Sequence, residues 1–138
     1  MEKVQITVEA TVNSPIEKVW HAWTNPEDIM AWNNASDDWH TPHATNDLRV
    51  GGSFLSTMAA KDGSFSFDFE GIYDEVVTHQ TIAYSLADDR KIKVTFIAQD
   101  NETFISETFD AETENPVEMQ RGGWQAILNN FKKYVESN

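Results

Sequence analysis

From Val117 to the C-terminus, apolar residues recur at helical spacing. Placed about 100° apart around an axis, Trp124, Leu128, Phe131 and Val135 form one stripe, with Val117 in line and Ile127 beside it. Ala126, Asn129 and Lys133 fall on the opposite side. A helix of roughly 20 residues at 1.5 Å per residue is about 30 Å long. Residues 43–110 read instead as strand and turn, so the stripe has only a sheet to lie on.

The strands are legible from alternation. Val4, Ile6, Val8, Ala10 and Val12 share one face of the first segment, and Gln5, Thr7, Glu9 and Thr11 the other, as in a half-buried antiparallel strand. Lys61-Asp62-Gly63-Ser64 marks a hairpin, and Phe65, Phe67 and Phe69 alternate with Ser66 and Asp68 beyond it. Asp88-Asp89 and Asp100-Asn101 separate further strands, giving about six here plus the N-terminal one. Three of the four prolines mark helix starts: Ser14-Pro15-Ile16-Glu17, Asn25-Pro26-Glu27-Asp28 and Asn115-Pro116-Val117-Glu118. Each offers a capping side chain, Pro at the first helical position and an acid at the third. The order is strand, two short helices, six strands and a long helix, an α+β architecture in one domain spanning 1–138.

Charge narrows the partners. Twenty-three acids against ten bases give a formal charge of -13. Nucleic-acid binding needs clustered Lys and Arg, and here the bases are dispersed. An anionic membrane surface is equally unattractive. The absence of cysteine excludes disulfides, zinc-thiolate sites and a thiol nucleophile. Met1 to Thr7 alternates like a strand rather than a signal segment, and no run approaches the roughly 20 apolar residues of a membrane helix. A cytoplasmic protein without membrane insertion is expected.

The long helix also carries polar residues on its apolar seam. Gln120 and Arg121 lie one turn before Trp124, an expensive placement unless they are hydrogen-bonded or face water. Either they present donors to a ligand at a cavity, or Arg121 pairs with a carboxylate such as Glu107 or Glu112. Gly122-Gly123 costs roughly 1 kcal/mol per glycine in a helix and predicts a close backbone approach or an irregularity.

Several motifs in order resemble one family. They are Ser14-Pro15-Ile16-Glu17-Lys18-Val19-Trp20, Trp23-Thr24-Asn25-Pro26, Asp47-Leu48-Arg49-Val50-Gly51-Gly52-Ser53-Phe54, Met58, Asp62-Gly63, Phe69-Glu70-Gly71-Ile72-Tyr73-Asp74-Glu75-Val76 and Arg121-Gly122-Gly123-Trp124. Together they resemble START-like (SRPBCC) proteins, and more narrowly the bacterial homologues of the activator of heat-shock-protein-90 ATPase. The resemblance implies a helix-grip fold, in which a curved seven-stranded antiparallel sheet wraps the long C-terminal helix around an internal cavity. It implies no single activity, since its members include hydrophobic-ligand carriers, polyketide cyclases and chaperone activators.

A cavity of that kind suits a small apolar molecule. The candidate lining is Phe54, Met58, Phe67, Phe69, Tyr73, Tyr84, Phe96, Trp124 and Ile127, with the opposing reading that these rings pack against one another. Gly71 predicts a bulge, which leaves the inward assignment of Tyr73 dependent on register. Ala31 to Pro42 reads as a long loop in which Asp38 and His40 either orient a substrate or move a proton, or else Trp39 anchors the loop while its neighbours face water. His40 and His43 have a two-histidine spacing, but Pro42 stands between them and no third ligand is marked, so no metal is expected. Glu107 and Glu112 are a candidate carboxylate pair with Arg121. No nucleophile elbow or P-loop occurs.

The reading that follows is a non-enzymatic protein that binds a small hydrophobic or aromatic molecule between sheet and helix, without a cofactor. Glu107, Gln120, Arg121 and the Asp38–His40 segment would supply its polar contacts. The alternatives are a cyclase- or hydratase-type enzyme using the same cavity, and a module that contacts a chaperone.

Overall fold

The computed structural model describes residues 4–138. The first three residues of the predicted N-terminal strand lie outside the described residues. The chain runs β1 (Gln5–Val12), α1 (Ile16–Thr24), α2 (Pro26–Trp32), β2 (Trp39–Asn46), β3 (Ser53–Ala60), β4 (Ser66–Val77), β5 (Thr81–Leu86), β6 (Lys91–Gln99), β7 (Glu102–Asp110) and α3 (Val117–Glu136). The seven strands form one antiparallel sheet in the order β1-β7-β6-β5-β4-β3-β2. It is a curled half-barrel with α3 in its concavity, the helix-grip arrangement. Among the described residues no helix is long and apolar enough to cross a membrane.

The hydrophobic stripe on α3 does what its spacing requires. Leu128, Phe131 and Val135 are fully buried against Ile6, Val8 and Val12 of β1 and Ile105 and Phe109 of β7. Burying such a side chain contributes about 1.5–3 kcal/mol. Phe131 meets the rings of Trp23 and Trp32 edge-on, each at 4.8 Å, so α1 and α2 share this core. Polar bonds fix α3 along the sheet's first edge: Gln125 pairs with the Glu9 backbone, and Lys132 Nζ donates to the Thr11 carbonyl at 2.8 Å.

Four expectations are corrected. None of the three helix starts has a side-chain cap bond, and in α1 and α3 the proline itself is the N-cap. Pro15 and Pro116 have extended ψ angles of 158° and 146°, and their carbonyls accept the first intrahelical bonds instead. The Ala31–Pro42 segment is not a long loop, because α2 reaches Trp32 and β2 begins at Trp39. Pro42 is accommodated where the β2–β3 register shifts between His40 and His43, on an edge strand that can dispense with its N–H. The bulge in β4 falls between Tyr73 and Glu75, not at Gly71. Gly71 is instead a close-approach position, where a Cβ would stand 2.9 Å from both the Phe54 ring and the Ser85 carbonyl oxygen.

Gly122 and Gly123 are the fourth. They mark neither an approach nor an irregularity, since a Cβ at either meets nothing within 4 Å and α3 is unbroken through both. The two environments predict opposite outcomes. Gly71→Ala should lower stability by about 1–3 kcal/mol through overpacking. Gly122→Ala should raise it by up to about 1 kcal/mol from helix propensity. Urea unfolding of both variants checks the pair, and a destabilised Gly122→Ala would contradict the regular helix.

Candidate functional site: a pocket under the first half of α3

Past Leu128 towards its N-terminus, α3 stops filling the sheet. Ile127, Trp124 and Gly123 border a pocket of about 490 Å³, and Gly123 contributes no side chain to close it. Trp124 stacks on Phe109 at 3.9 Å and meets Phe69 edge-on at 6.1 Å, tying β7 to β4. The wall continues as a network of rings: Phe54 lies 4.8 Å from Tyr84, 5.4 Å from Tyr73 and 5.8 Å from Phe69. Trp23 and Trp32 form the opposite side.

Hydrogen bonds hold that opposite side in place. Trp32 Nε1 donates to the Ala22 carbonyl at 2.8 Å, and Asn46 Nδ2 donates to the Thr24 carbonyl at 2.7 Å. Asn130 Nδ2 donates to the Trp32 carbonyl at 2.7 Å. The Ala22 and Thr24 carbonyls at the end of α1 would otherwise lack partners, the Trp32 carbonyl also accepts from Asn34 N at 2.8 Å, and the side chains fix α1 and α2 against β2 and α3. Tyr73, turned inward, donates its hydroxyl to Asn46.

One lining residue breaks the apolar pattern. The sheet register sets Val8, Glu107, Val94 and Ile82 in a row across its inner face. The other three are aliphatic and at most 2% exposed, and Glu107 is 6% exposed. Among the described residues no hydrogen bond or ion pair reaches its carboxylate, and burial alone pushes its pKa up from 4.5 to about 8. Tyr84 is raised well above the ordinary phenol value, by burial first and then by the nearby Glu107 charge. At neutral pH the site therefore holds a mostly protonated carboxylic acid, able to give one proton in a hydrogen bond or to lose it outright.

Of the residues singled out from sequence, Trp39, Phe54, Met58, Phe67, Phe69 and Tyr73 border the pocket. So do Tyr84, Glu107, Gln120, Trp124 and Ile127. Four do not. Phe96 lies 3% exposed under α1, between Trp20 at 5.4 Å and Trp23 at 5.5 Å. Arg121 is turned out of the seam and pairs with Glu118, not with Glu107 or Glu112. His40 sits exposed on β2 beside the half-buried Trp39, and Asp38 is exposed, its backbone carbonyl accepting from Lys61 N at 2.8 Å. Among the described residues no three His, Cys, Asp or Glu side chains gather as a metal site requires.

Gln120 reaches the seam for a reason internal to the fold. Its Oε1 accepts from Glu112 N at 2.9 Å, while Nε2 donates to the Asn115 carbonyl at 2.8 Å and the Glu112 carbonyl at 3.1 Å. The amide is a clamp on the β7–α3 connection, with its donors already used. The sequence reading missed Trp23, Trp32 and Ile29, although the spacing of the tryptophans in α1 and α2 marks an inward face. It also missed Ser56, which is 5% exposed on β3.

Because the folded-state pKa of Glu107 is raised, its contribution to stability is fully present below about pH 4.5 and is lost as pH rises to about 8. At about 1.4 kcal/mol per pH unit, the loss is several kcal/mol. A Glu107→Gln variant keeps the shape without the titration. Urea unfolding at several pH values should show its advantage over the parent widening between those limits and then levelling off. Parallel pH profiles would contradict the buried, unpaired acid.

Comparison with known proteins places this geometry. A profile of the family described as Activator of Hsp90 ATPase homolog 1-like protein matches residues 13–136. No curated protein sequence matches significantly. The solution structure of the AHSA1-like protein from Aeromonas hydrophila is 46% identical, with a TM-score of 0.91, covering 97% of this chain and 93% of that one. The Cytophaga hutchinsonii protein Chr148 is 54% identical, with a TM-score of 0.84 and the same coverages, 97% and 93%. Protein CV1439 from Chromobacterium violaceum, at 22% identity and a TM-score of 0.84 over 98% of this chain and 99% of its own, shares the fold. With a profile match over most of its length, the chain belongs to the Activator of Hsp90 ATPase homolog 1-like family, a group of START-like helix-grip proteins.

Proposed function

We propose that the protein binds a small hydrophobic or aromatic molecule in the pocket between the sheet and the first half of α3. The observation that carries this reading is the pocket itself: about 490 Å³ of space walled largely by aromatic rings, with a buried carboxyl, Glu107, that no group among the described residues bonds. Ligand sites are typically concave, apolar and of this size, with a few polar groups that set orientation. A core evolved only for stability would be filled to crystal-like density. Tyr73 and Gln120 are occupied by bonds within the protein, which leaves Glu107, with the Tyr84 hydroxyl and Ser56, to orient a ligand.

The family description favours a second reading, contact with a heat-shock chaperone through the acidic surface. A pull-down that weakens with added salt would support it.

The binding reading is tested by native mass spectrometry on gently purified protein and by thermal shift with flat, neutral aromatic compounds. Stabilisation should rise with ligand concentration, reaching about 2.7 kcal/mol at a hundredfold excess over Kd. Gly123→Phe fills the pocket from a position where a Cβ meets nothing within 4 Å, and should abolish the shift without lowering the melting temperature. A shift that survives this substitution would move the binding site elsewhere.

A further inference from the structure

The pocket has a charge character that its apolar walls conceal. Among the described residues, its titratable or charged lining groups are Tyr73 of β4, Tyr84 of β5, Arg90 before β6, Glu107 of β7 and Glu112 beyond β7. The lining residues from α1, α2, α3, β2 and β3 include none. Arg90 is committed to Asp88, with Nε 2.7 Å from the carboxylate, and burial raises Glu107 without any opposing effect of a cation. Tyr73 is bonded to Asn46, and Glu112 accepts the Asn115 backbone N–H at 2.9 Å. Among the described lining residues Glu107 is the carboxyl with neither a hydrogen bond nor a counter-ion, and the Tyr84 hydroxyl near it is likewise unbonded.

We infer that the ligand is a cation: an apolar, aromatic molecule bearing a protonated amine that pairs with Glu107. This rests on the binding reading above and names the class of molecule the pocket takes. Three features converge on it. An unpaired buried carboxyl becomes half of an ion pair once it gives up its proton, and an ammonium group supplies both the balancing charge and the donors. Trp124, stacked on Phe109 two residues along β7, and Tyr84 near Glu107 line the same pocket, and aromatic rings attract cations. A chain of formal charge -13 draws cations in and repels anions, and no unpaired base lines the pocket to receive a carboxylate.

Binding then carries a proton linkage. Below about pH 8 the ammonium must displace the proton of Glu107, which leaves to solvent. Affinity for the amine therefore rises about tenfold per pH unit towards that value and levels above it, while the amine stays protonated. A neutral ligand accepting a hydrogen bond from the protonated acid binds evenly below about pH 8 and weakens above it.

The test compares 2-(1-naphthyl)ethylamine with its neutral counterpart 2-(1-naphthyl)ethanol, titrated calorimetrically from about pH 6 to about pH 9, against the parent protein and Glu107→Gln. The amine should bind at least about tenfold more tightly than the alcohol above about pH 8. It should release a proton at lower pH, seen as a binding heat that varies with the buffer. Glu107→Gln should erase both the preference and the pH slope, and its thermal unfolding confirms that it folds. Equal affinities, or tighter binding at low pH, would overturn the cation assignment while leaving the binding pocket standing. If neither compound binds, the binding reading and this assignment fall together.

Discussion

A seven-stranded sheet curled around one helix encloses more volume than that helix can fill along its whole length. The molecule meets this constraint unevenly. The C-terminal half of α3 is packed solidly, with Leu128, Phe131 and Val135 against β1, β7 and the tryptophans of α1 and α2. The N-terminal half carries Gly123 where a side chain would reach the sheet, and the space left over is the pocket. Stability and potential function are divided along a single element. The packed half anchors the helix and the Gln120 clamp fixes its other end, so the unfilled region lies between two held points.

Much of this was legible in the sequence because it followed from periodicity. The stripe on α3, the alternation of β1 from Ile6 to Val12 and the hairpin at Gly63 each depend on local spacing and fell where expected, whereas Val4, Phe65 and Phe67 are exposed, the first two outside their strands. The inward face of Tyr73 survived because the β4 bulge comes after it. What failed depended on contacts distant in sequence. Arg121 and Gln120 share a helical face in projection, yet Arg121 finds Glu118 on its own helix while Gln120 turns to the preceding connection. Phe96 has the same inward parity as Val94, but α1 covers that end of the sheet and takes the ring into the core. His40 seemed to belong to a loop only because Pro42 disguised an edge strand.

Glu107 illustrates the difference between a residue type and its environment. Its parity with Ile105 and Phe109 places it on the buried face of β7, and that much a sequence shows. Whether a partner waits there depends on β6, β5 and β1, which bring only Val94, Ile82 and Val8. The acid's perturbed titration is therefore a property of the sheet register.

The two edges of the sheet differ in chemistry but share an outcome. From Glu9 to Asn13, backbone groups at the β1 margin are occupied by Gln125, Lys132 and Glu136 of α3. At the other margin, β2 is kinked by its bulge and interrupted by Pro42. An open half-barrel ordinarily invites a further strand from a neighbouring copy, the first step towards aggregation. Among the described residues neither rim offers a long regular ladder to extend, so the sheet is open around its pocket without presenting a ready template for another strand.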